Sequence, residues 1–491
     1  MPDFRESSRH ALLRHASART AASLRGLLPG LLSLLLLTGL STAQTSTLEQ
    51  DRAETMRWFQ KARFGMFIHW SIASVEGLEG SWPIMMPGAM PKLGNVTDAE
   101  YRAFASRFNP DRFEPDSWIR LAEEAGQRYM VFTTKHHDGF SFFDTRYSRY
   151  KVTETPYGKD VLAQLSAACQ KAGMPLGFYY SPPDLDHPGY RDTSRPAKDN
   201  YLGEPHRPEW PLYIAYMELQ LEELLTRYGP VPVLWFDGFK ETPYSPARIE
   251  PLVRRLRPQT LINNRLGVPA DFDISENVFP RRIPTKTRHI VQGTPSRIVR
   301  ADISDAVPPF EEFRPWEMCI PMNETWTYNP KDHNFKSSDE LIRILVEVAS
   351  RGGNFLLNVG PKPDGTIQSE VEERLRDIGR WLRLHGDAIY ETTYGPVQGL
   401  EAVRSTAKGD RIYLHVFNWP DDGKLAVARL PANVQRARLL AGGEPVEFTR
   451  KGGNYVFALT SRPPGVSVPV IEVVLGSPWT PAPSAGKLKG E

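Results

Sequence analysis

Cysteine is nearly missing from this chain, which has only Cys169 and Cys319 in 491 residues. Two cysteines without CxxC spacing exclude a disulfide framework and give no thiolate zinc pattern. Export would permit one disulfide, but Cys169 falls on an expected helix and reads as a core residue. Phosphate-cradling loops are missing too: no GxGxxG or GxxxxGK[ST] follows any expected strand, which weakens nucleotide binding. Net charge is small, +2 over the chain; residues 1–43 supply +3 of it, with five Arg against Asp3 and Glu6, and the rest stands at −1. A body that close to neutrality argues against the nucleic-acid backbone as partner. Long hydrophobic runs are absent except for Leu27 to Leu40, which Pro29, Gly30 and Gly39 interrupt. That run makes a poor membrane span. It follows an Arg-rich start and precedes Ser41, Thr42 and Ala43, so residues 1–43 read as an export signal cleaved after Ala43, with an uncleaved N-terminal anchor as the other reading. The expected location is secreted or periplasmic, with no membrane attachment once the signal is removed.

What is present is aromatic: 11 Trp, 18 Tyr and 23 Phe. Most must fill a core, although rings also stack on the apolar faces of sugars. The length suits a barrel-sized core plus an accessory domain.

From about 55 to 390 a short apolar strand ending in polar residues repeatedly precedes an amphipathic helix. The strands read 64–70, 129–134, 175–180, 232–236, 260–263 and 354–359. The helices read 116–127, 160–172, 210–228, 246–256, 338–351 and 370–385. Asp160 and Ser338 suit helix N-caps, and Gly173, Gly229 and Gly352 suit helix ends. This alternation predicts parallel βαβ units closing into a (β/α)8-like barrel over 50–393. Residues 280–335 are Pro-rich, so long loops and a barrel short of one regular helix are expected there. After Tyr394-Gly-Pro the pattern turns to short β stretches, predicting an antiparallel β-sandwich over 396–477 and a frayed tail over 478–491.

In such barrels chemistry gathers at the C-terminal ends of the strands. Those ends carry His69, His136, His137, Asp138, Tyr180, Asp237, Asn263, Asn264 and Arg265. Asp237 closes an apolar strand and precedes Gly238, so it suits a nucleophile, a base or a metal ligand; a helix N-cap is the structural alternative. Lys135-His-His-Asp-Gly139 admits a metal reading. Adjacent side chains on a strand point to opposite faces, however, and a sugar site uses the same groups on hydroxyls. Arg265 suits paired hydrogen bonds to a carboxylate, or a structural salt bridge. Glu276 follows eleven residues on, in Asp271-Phe-Asp-Ile-Ser-Glu276. With Asp237 it can form a glycosidase's two-carboxylate machinery.

Phe64-Gly-Met-Phe-Ile-His-Trp70, Lys135-His-His-Asp-Gly-Phe140, Leu234-Trp-Phe-Asp-Gly238, Asn263-Asn-Arg265 and Gly352-Gly-Asn-Phe-Leu-Leu-Asn-Val-Gly-Pro361 together resemble the motifs of glycoside hydrolase family 29, the α-L-fucosidases, in order and separation. The resemblance covers about 50–475. It implies that Asp237 is the nucleophile and that His69, His136, His137, Trp82 and Arg265 contact the sugar. By the same resemblance Trp326 lies against the C5 methyl and Tyr180 stands near the nucleophile. Glu276 is the implied acid/base, with Glu317 in Trp316-Glu-Met318 as its rival. One departure is Ser81, where family members often have Glu before the Trp; Glu79 is a candidate substitute.

The implied reaction is exo-acting hydrolysis of terminal α-L-fucosyl residues with retention, through a fucosyl-enzyme ester and without metal or cofactor. The partner is a fucosylated oligosaccharide or glycoconjugate, and a homo-oligomer is compatible with this. Hydrolysis of a related glycoside such as an α-L-galactoside, transfer of fucose, a decayed carbohydrate-binding protein and a metal-dependent hydrolase are the alternatives. Asn95-Val-Thr97 and Asn323-Glu-Thr325 fit glycosylation sequons.

Overall fold

The computed structural model describes residues 49–87, 96–196, 200–238, 244, 246–266, 270–287, 290, 299–300 and 306–481. The expected export signal and most of the expected tail lie outside them. No helix of the described residues is long and apolar enough to cross a membrane.

Eight parallel strands form one curled sheet: β1 (Phe64–Ile68), β2 (Met130–Lys135), β3 (Leu176–Tyr180), β4 (Val233–Phe236), β5 (Leu261–Ile262), β6 (Asp273–Glu276), β7 (Trp316–Pro321) and β8 (Asn354–Val359). Their spatial order is β5-β4-β3-β2-β1-β8-β7-β6, the sequential order of a (β/α)8 barrel. The end strands β5 and β6 are joined by a single parallel bridge, Asn263 to Phe272. Asn263 also ties the end of β5 to β4, accepting from Phe236 N at 3.0 Å and donating to Phe236 O at 2.8 Å.

Strand alternation sorts the side chains. Phe67, Val131, Tyr179, Trp235, Ile274, Cys319 and Leu356 meet inside the sheet as one apolar cluster. Their neighbours Ile68, Phe132, Tyr180, Phe236, Ile320 and Leu357 face outward and pack in a second, larger cluster with the helices. Period-two geometry then carries the inward face two residues on, from Phe67 to His69, from Trp235 to Asp237, from Ile274 to Glu276 and from Leu356 to Asn358.

All six expected helices form: Pro115–Glu124, Val161–Ala172, Trp210–Arg227, Pro246–Leu256, Ser338–Ser350 and Ser369–His385. Asp160 caps its helix by accepting from Ala163 N. At the fifth helix the cap is Ser337, not Ser338, and the Ser338 hydroxyl instead bonds Asp377. Among the described residues neither the β5–β6 nor the β6–β7 connection contains an α-helix; each has one 3-10 turn, Asn264–Leu266 and Phe310–Glu312. The barrel is therefore more irregular there than the expected loss of one helix.

The C-terminal part is a sandwich of two antiparallel sheets. One runs Thr393–Tyr394, Val403–Lys408, Arg411–Val416, Val470–Leu475, Val434–Leu439; the other runs Lys424–Val427, Asn454–Ala458, Phe448–Lys451. Val403, Leu414, Val427, Phe457 and Val473 give it a separate core. It is bonded to the barrel helices: Arg404 pairs with the buried Glu347 at 3.0 Å, Trp381 donates to Val468 O and Arg343 to Phe417 O. Cys169 and Cys319 are both buried and free.

Candidate active site

At the C-terminal mouth of the barrel, two carboxylates share one guanidinium. Arg265 Nη1 donates to Asp237 Oδ1 at 2.5 Å, and Arg265 Nη2 donates to Glu276 Oε2 at 2.5 Å. Asp237 directly follows β4, Glu276 is the last residue of β6, and Arg265 stands on the turn after β5. The three come together because the short β5 brings its following turn directly across the seam. The terminal nitrogens of a guanidinium are one carbon apart, so a shared fork draws both carboxylates close. Arg265 in turn lies over the Trp235 ring at 5.4 Å.

The two acids are pushed in opposite directions. Burial raises both, but at Asp237 the Arg265 charge, with hydrogen bonds from Arg265 and Tyr179, outweighs burial and holds it below the usual carboxylate range. Tyr179 Oη donates to Asp237 Oδ2 at 2.9 Å. At Glu276 burial comes first, Arg265 opposes it and the Asp237 charge adds to it, leaving the group raised. One carboxylate and one carboxylic acid side by side are an acid–base division of labour.

Three imidazoles stand beside them. His136 and His137 rings are 4.2 Å apart, and His69 lies 5.7 Å from His136. Tyr179 stacks on His136 at 5.5 Å. His137 Nε2 faces Asp237 Oδ2 at 3.6 Å. Desolvation by burial is the largest effect on all three: it lowers His69 and His137 to about 4 and His136 well below its ordinary value, so the group is neutral near pH 7. Each Nδ1 has a fixed partner: Asn358 Oδ1 at 2.6 Å for His69, Ser81 Oγ at 2.6 Å for His136 and Ser181 Oγ at 2.5 Å for His137. The nearest ligand atoms of His136, His137 and Asp237 lie within 4.8 Å of one another, a set able to hold a metal ion. The Arg265 charge already pairs with that carboxylate, and the same atoms are of a kind that can accept from hydroxyls.

Trp326 covers one side, with its ring 5.0 Å from His69. Its backbone is pinned by Glu79, which accepts from Trp326 N at 2.7 Å and Thr327 N at 3.1 Å. Glu79 thereby fixes that loop. Trp82 is half-buried at the start of a short helix, one residue after the serine that holds His136.

Two expected residues are placed elsewhere. Tyr180 faces outward, and its hydroxyl donates to Gln220 on the helix behind the sheet. Glu317 has no exposure and lies in the barrel interior, accepting from Trp235 Nε1 at 2.9 Å and from Tyr129 Oη. Its register opposite Ile274 sets it two residues below Glu276, which pairs with Cys319. Sequence reading missed Tyr179, Trp235 and Asn358. For Trp235 and Asn358 the signal was available, because Trp235 shares the inward parity of Asp237 and Asn358 that of Leu356; Tyr179, beside Tyr180, carries no such local signal. Asn323 of the second sequon is buried and donates to Thr325; Asn95 of the first lies outside the described residues.

The family model for alpha-L-fucosidase matches residues 38–387. Bovine tissue alpha-L-fucosidase is 28% identical over 396 residues, 75% of this chain and 76% of its own. Human plasma alpha-L-fucosidase is 27% identical over 431 residues, 81% of this chain and 84% of its own. Alpha-L-fucosidase isoenzyme 1 from Paenibacillus thiaminolyticus superposes with a TM-score of 0.74 at 32% identity, covering 87% of this chain and 99% of its own. A Bacteroides thetaiotaomicron GH29 alpha-L-fucosidase, trapped as a covalent intermediate with 2-fluoro-fucosyl fluoride, superposes with a TM-score of 0.71 at 26% identity, covering 86% of this chain and 95% of its own.

Proposed function

The chain belongs to the α-L-fucosidase family of glycoside hydrolases, whose members retain configuration, and we propose that Asp237 is its nucleophile and Glu276 its acid/base. The observation that carries these roles is the shared fork of Arg265 on both carboxylates. In a retaining pair the carboxyls stand about 5–5.5 Å apart, and one guanidinium bonded to both favours such a separation.

The terminal α-L-fucosyl residue of a glycan enters with its anomeric carbon toward Asp237. Asp237 forms the ester bond as the glycosidic C–O bond breaks, and Glu276 gives its proton to the leaving oxygen. Glu276, now a carboxylate, takes a proton from water, whose oxygen displaces Asp237 and restores the starting state. Negative charge thus moves from one carboxylate to the other, and Arg265 bonds the charged partner at each stage. The neutral imidazoles offer hydroxyl partners without adding charge, and Trp326 offers an apolar face to the sugar's methyl group. The Arg-rich start and apolar run of residues 1–43 support export, which puts the substrate outside the cytoplasm.

The test is Asp237→Gly on an aryl α-L-fucoside. Turnover is expected to fall by orders of magnitude and to recover in part with azide, giving a fucosyl azide. Undiminished turnover would overturn the nucleophile assignment.

A further inference from the structure

Two of the three site imidazoles have partners that determine where the proton sits. The Asn358 amide is held between His69 and a main-chain carbonyl: Nδ2 donates to Trp326 O at 2.6 Å, and Oδ1 lies 2.6 Å from His69 Nδ1. A carbonyl only accepts, so the amide nitrogen must face Trp326 and the amide oxygen must face His69. An amide oxygen also only accepts. His69 Nδ1 therefore carries the hydrogen.

His137 reaches the same state through a hydroxyl. Ser181 Oγ donates to Pro183 O at 2.7 Å and lies 2.5 Å from His137 Nδ1. A hydroxyl has one proton, and the Pro183 carbonyl takes it, so Ser181 accepts from His137 Nδ1–H. At His136 the partner is Ser81 Oγ, a hydroxyl able to donate or accept, and no direction follows from it. Both rings are neutral near pH 7, since burial lowers each to about 4. A neutral imidazole with its hydrogen on Nδ1 has a bare Nε2.

We propose that Asn358 and Ser181 are positioning residues that lock His69 and His137 in one tautomer, so that both rings present Nε2 as an acceptor and the site selects sugar hydroxyls acting as donors. The Nε2 of His137 faces Asp237 Oδ2 at 3.6 Å, which makes two acceptors side by side next to the reacting carbon. A hydroxyl donating into that gap relieves their mutual repulsion. A substituent that only accepts, such as fluorine, adds a third lone pair to it. The outer partner of a functional imidazole commonly fixes ring and tautomer in this way. The identity of the hydroxyls rests on the fucosidase reading; the proton positions do not.

The experiment is nitrogen-15 NMR of the full chain labelled at histidine, without ligand and near pH 7. The two rings are assigned by the signals lost in His69→Gln and His137→Gln. Both are expected to show a protonated Nδ1 and a bare Nε2. A protonated Nε2 on either ring, or a mixture, would overturn the proposal. Ser181→Ala is expected to release His137 into both tautomers, whereas Ser181→Thr keeps the hydroxyl and the Nδ1–H signature. The second readout is the ratio of kcat/KM for an aryl α-L-fucoside over analogues with one ring hydroxyl replaced by fluorine. At the position read by His137 this ratio is expected to fall about tenfold in Ser181→Ala and to hold in Ser181→Thr. Equal ratios in wild type and both variants would also overturn it. Nδ1–H signatures in a protein that turns over no fucoside would leave the proton assignment standing and remove the substrate reading.

Discussion

Asp237 and Glu276 are bonded to opposite nitrogens of one buried guanidinium, so the proposed nucleophile and the proposed acid are held by the same cation. Each side chain keeps some exposure, 17% and 15%, while Arg265 keeps 4%. The carboxylates thus open to the mouth of the barrel while the cation stays behind them. A lysine offers a point charge and no planar fork. Arg265→Lys is expected to lower kcat/KM about 100-fold on an aryl α-L-fucoside, because one ammonium cannot hold both acids in place. A loss confined to a few-fold would show that the fork is not needed to set the pair.

The opposite shifts of the two acids give a bell-shaped pH profile. Activity requires Asp237 ionised and Glu276 protonated. It is therefore lost on the acid side as pH falls through about 4, where His69 and His137 take up protons, and then through the lowered Asp237 value, and on the alkaline side as pH rises through the raised Glu276 value. Glu276→Ala is expected to remove the alkaline limb when the leaving group is good enough to depart unprotonated. Glu317→Gln is expected to keep that limb, because Glu317 is sealed below the site against Trp235 and Tyr129. Loss of the alkaline limb in Glu317→Gln instead would exchange the two roles.

Neighbouring tyrosines separate a site role from a packing role. Tyr179 donates to Asp237, and Tyr180 donates to Gln220 on the other face of the strand. Hydrogen bonds to a charged group contribute about 1.5–3 kcal/mol, which corresponds to roughly 10- to 100-fold in rate. Tyr179→Phe is expected to lose that much in kcat/KM, and Tyr180→Phe to lose stability with kcat/KM nearly unchanged. Comparable kinetic losses in both variants would contradict the sorting of faces.

This parity is also where sequence reading stopped short. Strand ends were legible at β1, β4 and β8 because a short apolar run ending in polar residues and a following helix mark them. His69 and Asp237 could be picked out on that basis. β3 ends in Tyr179-Tyr180, two aromatic residues with the same propensity, and β2 beside it has a register shift between Thr133 and Lys135. Which tyrosine faces inward follows from the pairing of Tyr179 with Trp235, which no local pattern contains. β6 and β7 were not placed at all. They are flanked by irregular loops without an α-helix among the described residues, so the βαβ rhythm that revealed the other strands is missing. Glu276 was identified from its motif resemblance, and its geometry came from the seam between β5 and β6.

Glu79 gives a prediction that couples binding to stability. Its carboxylate accepts from Trp326 N, Thr327 N and, at 3.1 Å, from Thr327 Oγ1, so it holds the loop that carries Trp326. An amide in its place keeps one acceptor and turns an NH2 group toward a main-chain N–H. Glu79→Gln is therefore expected to displace Trp326 and raise KM about tenfold, with a smaller change in kcat. Burial raises Glu79 from 4.5 to about 7 despite these hydrogen bonds. The folded state consequently binds more protons than the unfolded state between those values. Its contribution is fully present below the unfolded value and is lost as pH rises through about 7. Chemical denaturation at pH 5 and pH 8 is expected to show the wild type losing stability across that interval and Glu79→Gln losing less. A variant that loses as much as the wild type would show that Glu79 stays ionised in the folded state, held by its donors against burial.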